Sequence, residues 1–155
     1  MTPSKLTSVF PLSLYAKLDA WVETTPWVKA ISLLAIRLYL AKFFFSSGLT
    51  KIADFNRTVA LFTDEYKVPV LPPEIAAVLS TTAELSLPVL LVIGLFTRFA
   101  GIGLFVMTLV IELFVYPSAV TGLAENQFIM LLAFAIAAFG SGRMGIDAWL
   151  FKAKG

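Results

Sequence analysis

Four ionisable residues lie inside strongly apolar stretches of the sequence: Arg37, Lys42, Glu84 and Glu112. A charge near the centre of a lipid bilayer costs about 2.5–3.5 kcal/mol on insertion scales, so such residues generally face the interior of a helix bundle. There they pair with one another, contact a polar ligand or move protons. Two basic and two acidic groups therefore suggest two ion pairs, with proton transfer open to the carboxyl groups.

Depth along the helices predicts the partners, because an α-helix rises about 1.5 Å per residue. Counted from Trp27, Arg37 is expected roughly 15 Å deep, and Glu84 reaches about the same depth from the opposite face. Lys42 and Glu112 are expected about 21–23 Å from the cytoplasmic face. We therefore predict an Arg37–Glu84 pair at mid-depth and a Lys42–Glu112 pair nearer the outside. Pairs that only fix the helix register are the alternative.

The absence of cysteine and histidine excludes several kinds of chemistry. Disulfides, thiolate nucleophiles, Ser-His pairs and the usual zinc, copper and haem ligands are all ruled out, so we expect no metal or haem. A redox role would need an organic cofactor such as a quinone, or a partner protein. The net charge of +2 is too small to suggest a nucleic acid partner.

Three glycines near the end of the chain, Gly140, Gly142 and Gly145, have the GxGxxG spacing of a dinucleotide-binding turn. That motif works only where it follows a strand and opens a helix. Here it follows an apolar helix, so we reject a nucleotide site and expect the glycines to end that helix.

Composition predicts an all-α integral membrane protein with a single domain over residues 1–155. Hydrophobic residues make up 59% of the chain and charged residues 14%, against roughly 45–50% and about 25% in soluble domains. A spanning helix needs about 20 apolar residues. Leu14, Leu18 and Trp21 recur at helical spacing and predict a short N-terminal interfacial helix. Four segments predict a bundle of transmembrane helices, at about 26–49, 73–96, 99–116 and 123–140.

The basic residues outside these segments predict the orientation. One side would carry Lys5, Lys17, Lys29, Arg98, Arg143, Lys152 and Lys154. The other side would carry Lys51, Arg57 and Lys67. Because cytoplasmic loops carry the excess of lysine and arginine, both termini are expected in the cytoplasm.

Several short motifs make the sequence resemble the DoxX family of small four-span membrane proteins. Relatives often have a histidine near the start of the fourth span, and the region around Asn126 has none. The resemblance singles out Arg37, Gly48, Lys51 and Glu84. The motifs are Ile36-Arg37-Leu38, Ser47-Gly48-Leu49-Thr50-Lys51, Glu84 in the second span, the turn Gly94 to Arg98, and the closing segment Gly140 to Asp147.

The resemblance implies redox work in a bacterial or archaeal plasma membrane, since some members resemble subunits of a thiosulfate:quinone oxidoreductase. The resulting hypothesis is an auxiliary or quinone-interacting subunit of a membrane redox system, with the lipid bilayer, a membrane or soluble redox partner and a second copy of the chain as partners. A small transporter or proton-linked carrier and a structural scaffold remain alternatives. No self-contained catalytic site is visible, so whether the chain is an enzyme stays open. The candidate polar-core or ligand-binding residues are Arg37, Lys42, Lys51, Glu84 and Glu112.

Overall fold

The computed structural model describes residues 10–66, 70–116 and 124–152. Every regular element within these ranges is helical. The expected start of the fourth apolar segment, near residue 123, lies outside the described residues. So do Lys5, Lys67 and Lys154 from the orientation argument.

The helices lie where the sequence has its apolar segments. α3 and α5 each continue into one π-helical turn, Phe62–Tyr66 and Ile111–Val115 respectively. A 3-10 turn, Gly142–Met144, precedes the last helix. In chain order the helices are α1 Phe10–Thr24, α2 Pro26–Ala53, α3 Phe55–Leu61, α4 Pro73–Ile93, α5 Thr97–Val110, α6 Glu125–Phe139 and α7 Ile146–Lys152.

Local sequence explains where several helices begin and end. Pro26 and Pro73 occupy the first turns of α2 and α4, where the missing N–H of proline costs no helix hydrogen bond. The Asp54 side chain accepts a hydrogen bond of 3.0 Å from the backbone N–H of Arg57 and so caps α3. α4 ends at Gly94, whose φ of 71° is a left-handed conformation that glycine adopts without steric cost.

Helices α2, α4, α5 and α6 pack into one bundle. α2 packs mainly on α4, α5 mainly on α6, and the contact between α4 and α5 joins the two pairs. The shared core contains Leu40 and Phe44 of α2, Leu91 of α4, Leu104 of α5 and Ile136 of α6. All four helices therefore bury side chains in the same apolar core.

Glycines on a helix surface predict close approach of a neighbouring helix, and Gly101 and Gly103 of α5 both permit it. A Cβ atom on Gly101 would lie 2.7 Å from the backbone nitrogen of Ala137 in α6. A Cβ atom on Gly103 would lie 2.7 Å from the Cδ1 atom of Leu87 in α4. The first contact is with the backbone of α6, and the second is with the end of a flexible side chain. A methyl group should therefore disturb the packing more at Gly101 than at Gly103.

Two helices of the described chain are long and apolar enough to cross a membrane. They are α4, with a mean hydropathy of 1.9, and α5 with its π-helical turn, Thr97–Val115, with a mean hydropathy of 2.0. The apolar α6 is shorter, at 15 residues. Large apolar side chains point outward from the bundle, among them Phe99 and Leu131, each 66% exposed. In water, this much exposed apolar surface would be an aggregation liability.

The contrast between the two glycines gives a stability prediction. Gly101→Ala should destabilise the bundle by about 1–3 kcal/mol, because the backbones of α5 and α6 must separate to admit the methyl group. Thermal unfolding of the purified protein in detergent measures the effect. Gly103→Ala is the matched control and should be milder, because the Leu87 side chain can rotate away. Equal melting temperatures for the two variants would contradict the proposed α5–α6 contact.

Candidate functional site

A buried ion pair joins the end of α2 to the middle of α4. The Lys51 Nζ atom lies 2.8 Å from Oε1 and 2.6 Å from Oε2 of Glu84. The Glu84 side chain is 2% exposed and that of Lys51 is 16% exposed. Lys51 Nζ also donates to the Ser47 Oγ atom at 2.9 Å, and the Ser80 hydroxyl lies 3.4 Å from Glu84 Oε1. The charges are thus paired and hydrogen bonded, as burial requires.

The local sequence of α2 brings the pair together. A Cβ atom on Gly48 would lie 2.9 Å from the Leu85 side chain and 3.1 Å from Glu84 Cβ, so glycine at this position lets α4 approach. The helix continues to Ala53, beyond the predicted end at residue 49. Lys51 was expected in an outer loop, which is wrong: it lies in the last turn of α2, on the same face as Gly48.

Beside the ion pair is a cavity of about 470 Å³, which we name the Lys51 cavity. Its volume falls within the usual range for small-molecule sites, roughly 300–1,000 Å³. Apolar and aromatic side chains from α2, α4, α5 and the two π-helical turns form most of its wall, while Lys51 and Glu84 supply charge at one side. Its lining residues include Phe43, Phe44, Lys51, Phe62, Tyr66 and Glu84.

Two aromatic residues border the Lys51 cavity at the ends of the π-helical turns. The rings of Tyr66 and Tyr116 pack edge to face with their centroids 5.7 Å apart. Tyr66 also packs on Phe62, at 5.0 Å. Burial, reinforced by the neighbouring Tyr116, raises the pKa of Tyr66 to about 12. The Tyr66 phenol therefore keeps its proton at physiological pH, and its hydroxyl group has Tyr116 as a hydrogen-bond partner.

Arg37 does not pair with Glu84, so that prediction is wrong. Its fully buried guanidinium donates instead to four backbone carbonyls. Nε donates to Leu91 at 2.7 Å and Nη2 to Val92 at 3.0 Å, both in the last turn of α4. Nη1 donates to Ser141 at 3.2 Å and Met144 at 3.1 Å. Arg37 thus connects α2, the end of α4 and the closing segment.

The error in depth comes from the length of α2. Its 28 residues span about 42 Å, more than the roughly 30 Å hydrocarbon core of a bilayer. Trp27 is therefore a poor marker of the level at which α4 ends. Its ring contacts Arg143 of the closing segment, with Arg143 Cζ 5.7 Å from the ring centroid. Arg37, ten residues later, lies level with the last turn of α4 rather than with its middle.

Asp147 has a structural role that the sequence analysis missed. Its carboxylate accepts hydrogen bonds of 2.8 Å from the backbone N–H groups of Phe96 and Thr97, at the start of α5. Its own N–H donates to the Gly94 carbonyl at 2.9 Å. The neighbouring Gly140 ends α6, as the sequence predicts, with a φ of 75°. The resemblance of the closing segment to a family ending was the signal that could have suggested a role for Asp147.

The predicted Lys42–Glu112 pair is also wrong. Lys42 is exposed, next to α4 residues such as Val89 and Val92, and it has no ion pair or hydrogen bond among the described residues. Glu112 lies partly buried in the π-helical turn Ile111–Val115. Of the five candidate residues, the structure thus brings together only Lys51 and Glu84.

The fold and the site define a small all-helical protein with an apolar exterior and charged residues buried between its helices. The family model named DoxX matches residues 32–117, more than half of the chain, and the chain belongs to the DoxX family. The match includes Arg37, Lys51 and Glu84 but not the closing segment. A relative from Haemophilus influenzae, named only as an uncharacterized protein, is 27% identical over 129 residues, covering 79% of this chain and 85% of the relative. No solved structure matches at a significant level.

The ion pair can be tested by a double-mutant cycle. Lys51→Met leaves the buried Glu84 carboxylate without its cation and should destabilise the protein by about 3–5 kcal/mol. Adding Glu84→Leu to Lys51→Met should recover most of that loss, because no buried charge then remains. Unfolding in detergent measures both.

The matched control is Lys42→Met, which removes an exposed cation of the same helix that has no ion pair. This control should stay near the wild-type stability. Strictly additive effects of the Lys51 and Glu84 substitutions would show that the two side chains do not stabilise the fold as a pair.

Proposed function

We propose that α2, α4, α5 and α6 cross the plasma membrane as a four-span bundle with both termini in the cytoplasm. The outward apolar side chains and the distribution of lysine and arginine support this topology. α6 spans only about 22 Å, and local thinning of the bilayer would accommodate the mismatch at modest cost. The exposed apolar residues of α1, including Leu14 and Trp21, would lie in the interface.

Because the chain has no cysteine, single introduced cysteines test the topology directly. With four spans, Asp64→Cys should react with a membrane-impermeant maleimide on intact cells. Arg143→Cys should react only after permeabilisation. Both positions are exposed.

If only α4 and α5 crossed, residues 64 and 143 would lie on the same side of the membrane. Equal labelling of the two variants on intact cells would therefore rule out the four-span topology. Labelling of both after permeabilisation controls for thiol accessibility.

We further propose that the protein is an auxiliary subunit of a membrane redox system and binds a quinone in the Lys51 cavity. One observation carries this proposal: the partly buried ammonium group of Lys51, paired with the buried Glu84, borders an aromatic, apolar cavity of about 470 Å³. A flat apolar ring with carbonyl oxygens at its edge suits these surroundings, because its faces need apolar contacts and its oxygens need donors.

The residues of the cavity have separable roles in this proposal. Ser47 and both Glu84 oxygens accept the three hydrogen bonds of Lys51 Nζ. A bound ligand carbonyl would replace one Glu84 oxygen and accept a charge-assisted hydrogen bond from the ammonium. Phe43, Phe44 and Phe62 pack against the ring. A bound quinone would supply the electron-accepting chemistry.

The family resemblance suggests a role in electron transfer, and the chain has neither histidine nor cysteine to hold a metal centre. We therefore propose that electrons reach the site from a partner protein, either in the membrane or docked on its surface. The chain would then have an auxiliary role, because the partner protein supplies the electrons.

Titration of a short-chain quinone analogue into the purified protein in detergent tests ligand binding. The Lys51→Met/Glu84→Leu double variant, which we expect to fold, should bind about tenfold or more weakly. That loss corresponds to one hydrogen bond to a charged group, worth roughly 1.5–3 kcal/mol. Lipid extraction of the wild-type protein should show quinone enriched over the bulk membrane.

Phe99→Leu is the matched control, because Phe99 borders a second cavity of about 470 Å³ near the turn between α4 and α5. The Phe99→Leu variant should bind the quinone analogue with the same affinity as the wild type. If wild type and double variant bind the analogue equally, or if no quinone is enriched, the Lys51 cavity is not a quinone site. A folded double variant that retains cellular activity would favour the scaffold hypothesis.

A further inference from the structure

Lys42 lies on a face of α2 that points away from the bundle core. The neighbours at helical spacing on this face are large and apolar, including Leu38 at 47% exposed, Phe45 at 37% and Leu49 at 50%. The Lys42 side chain is itself exposed and has no ion pair or hydrogen bond among the described residues. A single positive charge therefore lies on an otherwise uncharged apolar surface.

A groove of about 380 Å³ runs beside Lys42, between α2 and α4. We name it the Lys42 groove. Residues of α2 and α4 line it, and within the described chain no residue of α5 or α6 takes part. Its lining residues include Leu38, Ala41, Phe45, Pro88, Val89 and Val92.

The position of Lys42 has an electrostatic consequence, which rests on the proposed membrane topology. If α2 and α4 cross the bilayer, the Lys42 groove faces lipid rather than water. A lysine ammonium is costly in hydrocarbon and must reach the interface or a counter-charge. Because the described residues supply no carboxylate to Lys42, a counter-charge has to come from outside the described part of the chain.

The direction of the Lys42 side chain indicates the depth in the bilayer at which its counter-charge lies. Helical side chains lean toward the N-terminus of their helix, which for α2 is the cytoplasmic side in the proposed topology. The groove extends from Pro88 to Ile93, the last residue of α4, a rise of about 7.5 Å. A snorkelling lysine can cover much of this distance along an apolar wall. The ammonium thus approaches the cytoplasmic headgroup layer, where anionic lipids are concentrated.

We propose that the Lys42 groove is a binding site for an anionic phospholipid. The lipid phosphate accepts a hydrogen bond from Lys42 Nζ, and an acyl chain lies along Phe45, Val89 and Val92. A spanning helix of a partner protein fits this groove less well. Helix contacts within membranes favour small residues that permit close approach, whereas the bulky side chains of Leu38 and Phe45 flank this groove.

The experiment compares lipid selectivity in the full-length protein. Binding of phosphatidylglycerol and of phosphatidylcholine to the purified protein is measured by native mass spectrometry in mixed micelles. The wild type should prefer phosphatidylglycerol by about fivefold, which corresponds to roughly 1 kcal/mol for one basic residue at an anionic surface. Lys42→Gln should reduce that ratio to about one, and Lys42→Arg should preserve it.

Arg57→Gln is the matched control, because it removes an exposed basic residue of α3, on the outer side in the proposed topology, and leaves the groove intact. It should keep the wild-type ratio. Unchanged selectivity in Lys42→Gln would overturn the proposal. So would loss of a dimer or of a co-purifying membrane protein in Lys42→Gln with selectivity retained, since a protein would then occupy the groove.

The outcome is separable from that of the proposed function. Lys42→Gln should leave quinone-analogue binding in the Lys51 cavity unchanged, because Lys42 does not line that cavity. Cysteine labelling that contradicts the four-span topology would remove the premise of the lipid site on its own. If the topology is confirmed and the quinone does not bind, the ratio of phosphatidylglycerol to phosphatidylcholine binding still decides whether the lipid site exists.

Discussion

The guanidinium of Arg37 is the contact on which the packing at one end of the bundle depends. Burying a charge without a carboxylate partner within ion-pair distance is costly, and here four backbone carbonyls offset the cost. Two of them belong to the last turn of α4, where carbonyls lack helix partners and the helix dipole is negative. Gly94 cannot be replaced without disturbing this arrangement, since a Cβ atom there would lie 2.6 Å from Arg37 Nη2 and 2.5 Å from Gly145 Cα.

Asp147 complements Arg37 at the adjacent helix end. Its carboxylate binds the free N–H groups at the start of α5, where the helix dipole is positive. These bonds also hold Phe96 at a φ of 48°, a left-handed conformation that a bulky residue rarely adopts. Arg37 and Asp147 are therefore each matched to a helix end of opposite sign, and the closing glycines shape the loop that brings Asp147 there. This explains the GxGxxG spacing without a nucleotide.

Hydropathy, prolines and glycines in the sequence are enough to predict the helices and the close approach at Gly101. The partners of the charged residues could not be predicted in the same way. Pairing by depth assumes that α2 begins at the level where the antiparallel α4 ends, whereas α2 extends well past the end of α4. A backbone carbonyl is an acceptor that every residue carries, so no side-chain pattern marks Leu91 or Ser141 as a partner of Arg37. The shared face of Gly48 and Lys51 did contain the correct signal for Glu84, because glycine marks where α4 approaches.

Three of the four basic residues of α2, Arg37, Lys42 and Lys51, thus have three different environments, and the environment separates their roles. Arg37 has its donors committed to backbone carbonyls and cannot serve a ligand without opening the end of α4. Lys51 is paired but borders a cavity, so a ligand can compete for or share its donors. Lys42 has its apolar stem against the groove and its charge without a counter-ion within the described chain. Equal numbers of buried acids and bases would suggest a closed set of ion pairs. The geometry instead leaves Lys51 beside an internal cavity and Lys42 beside a groove on the outside of the bundle.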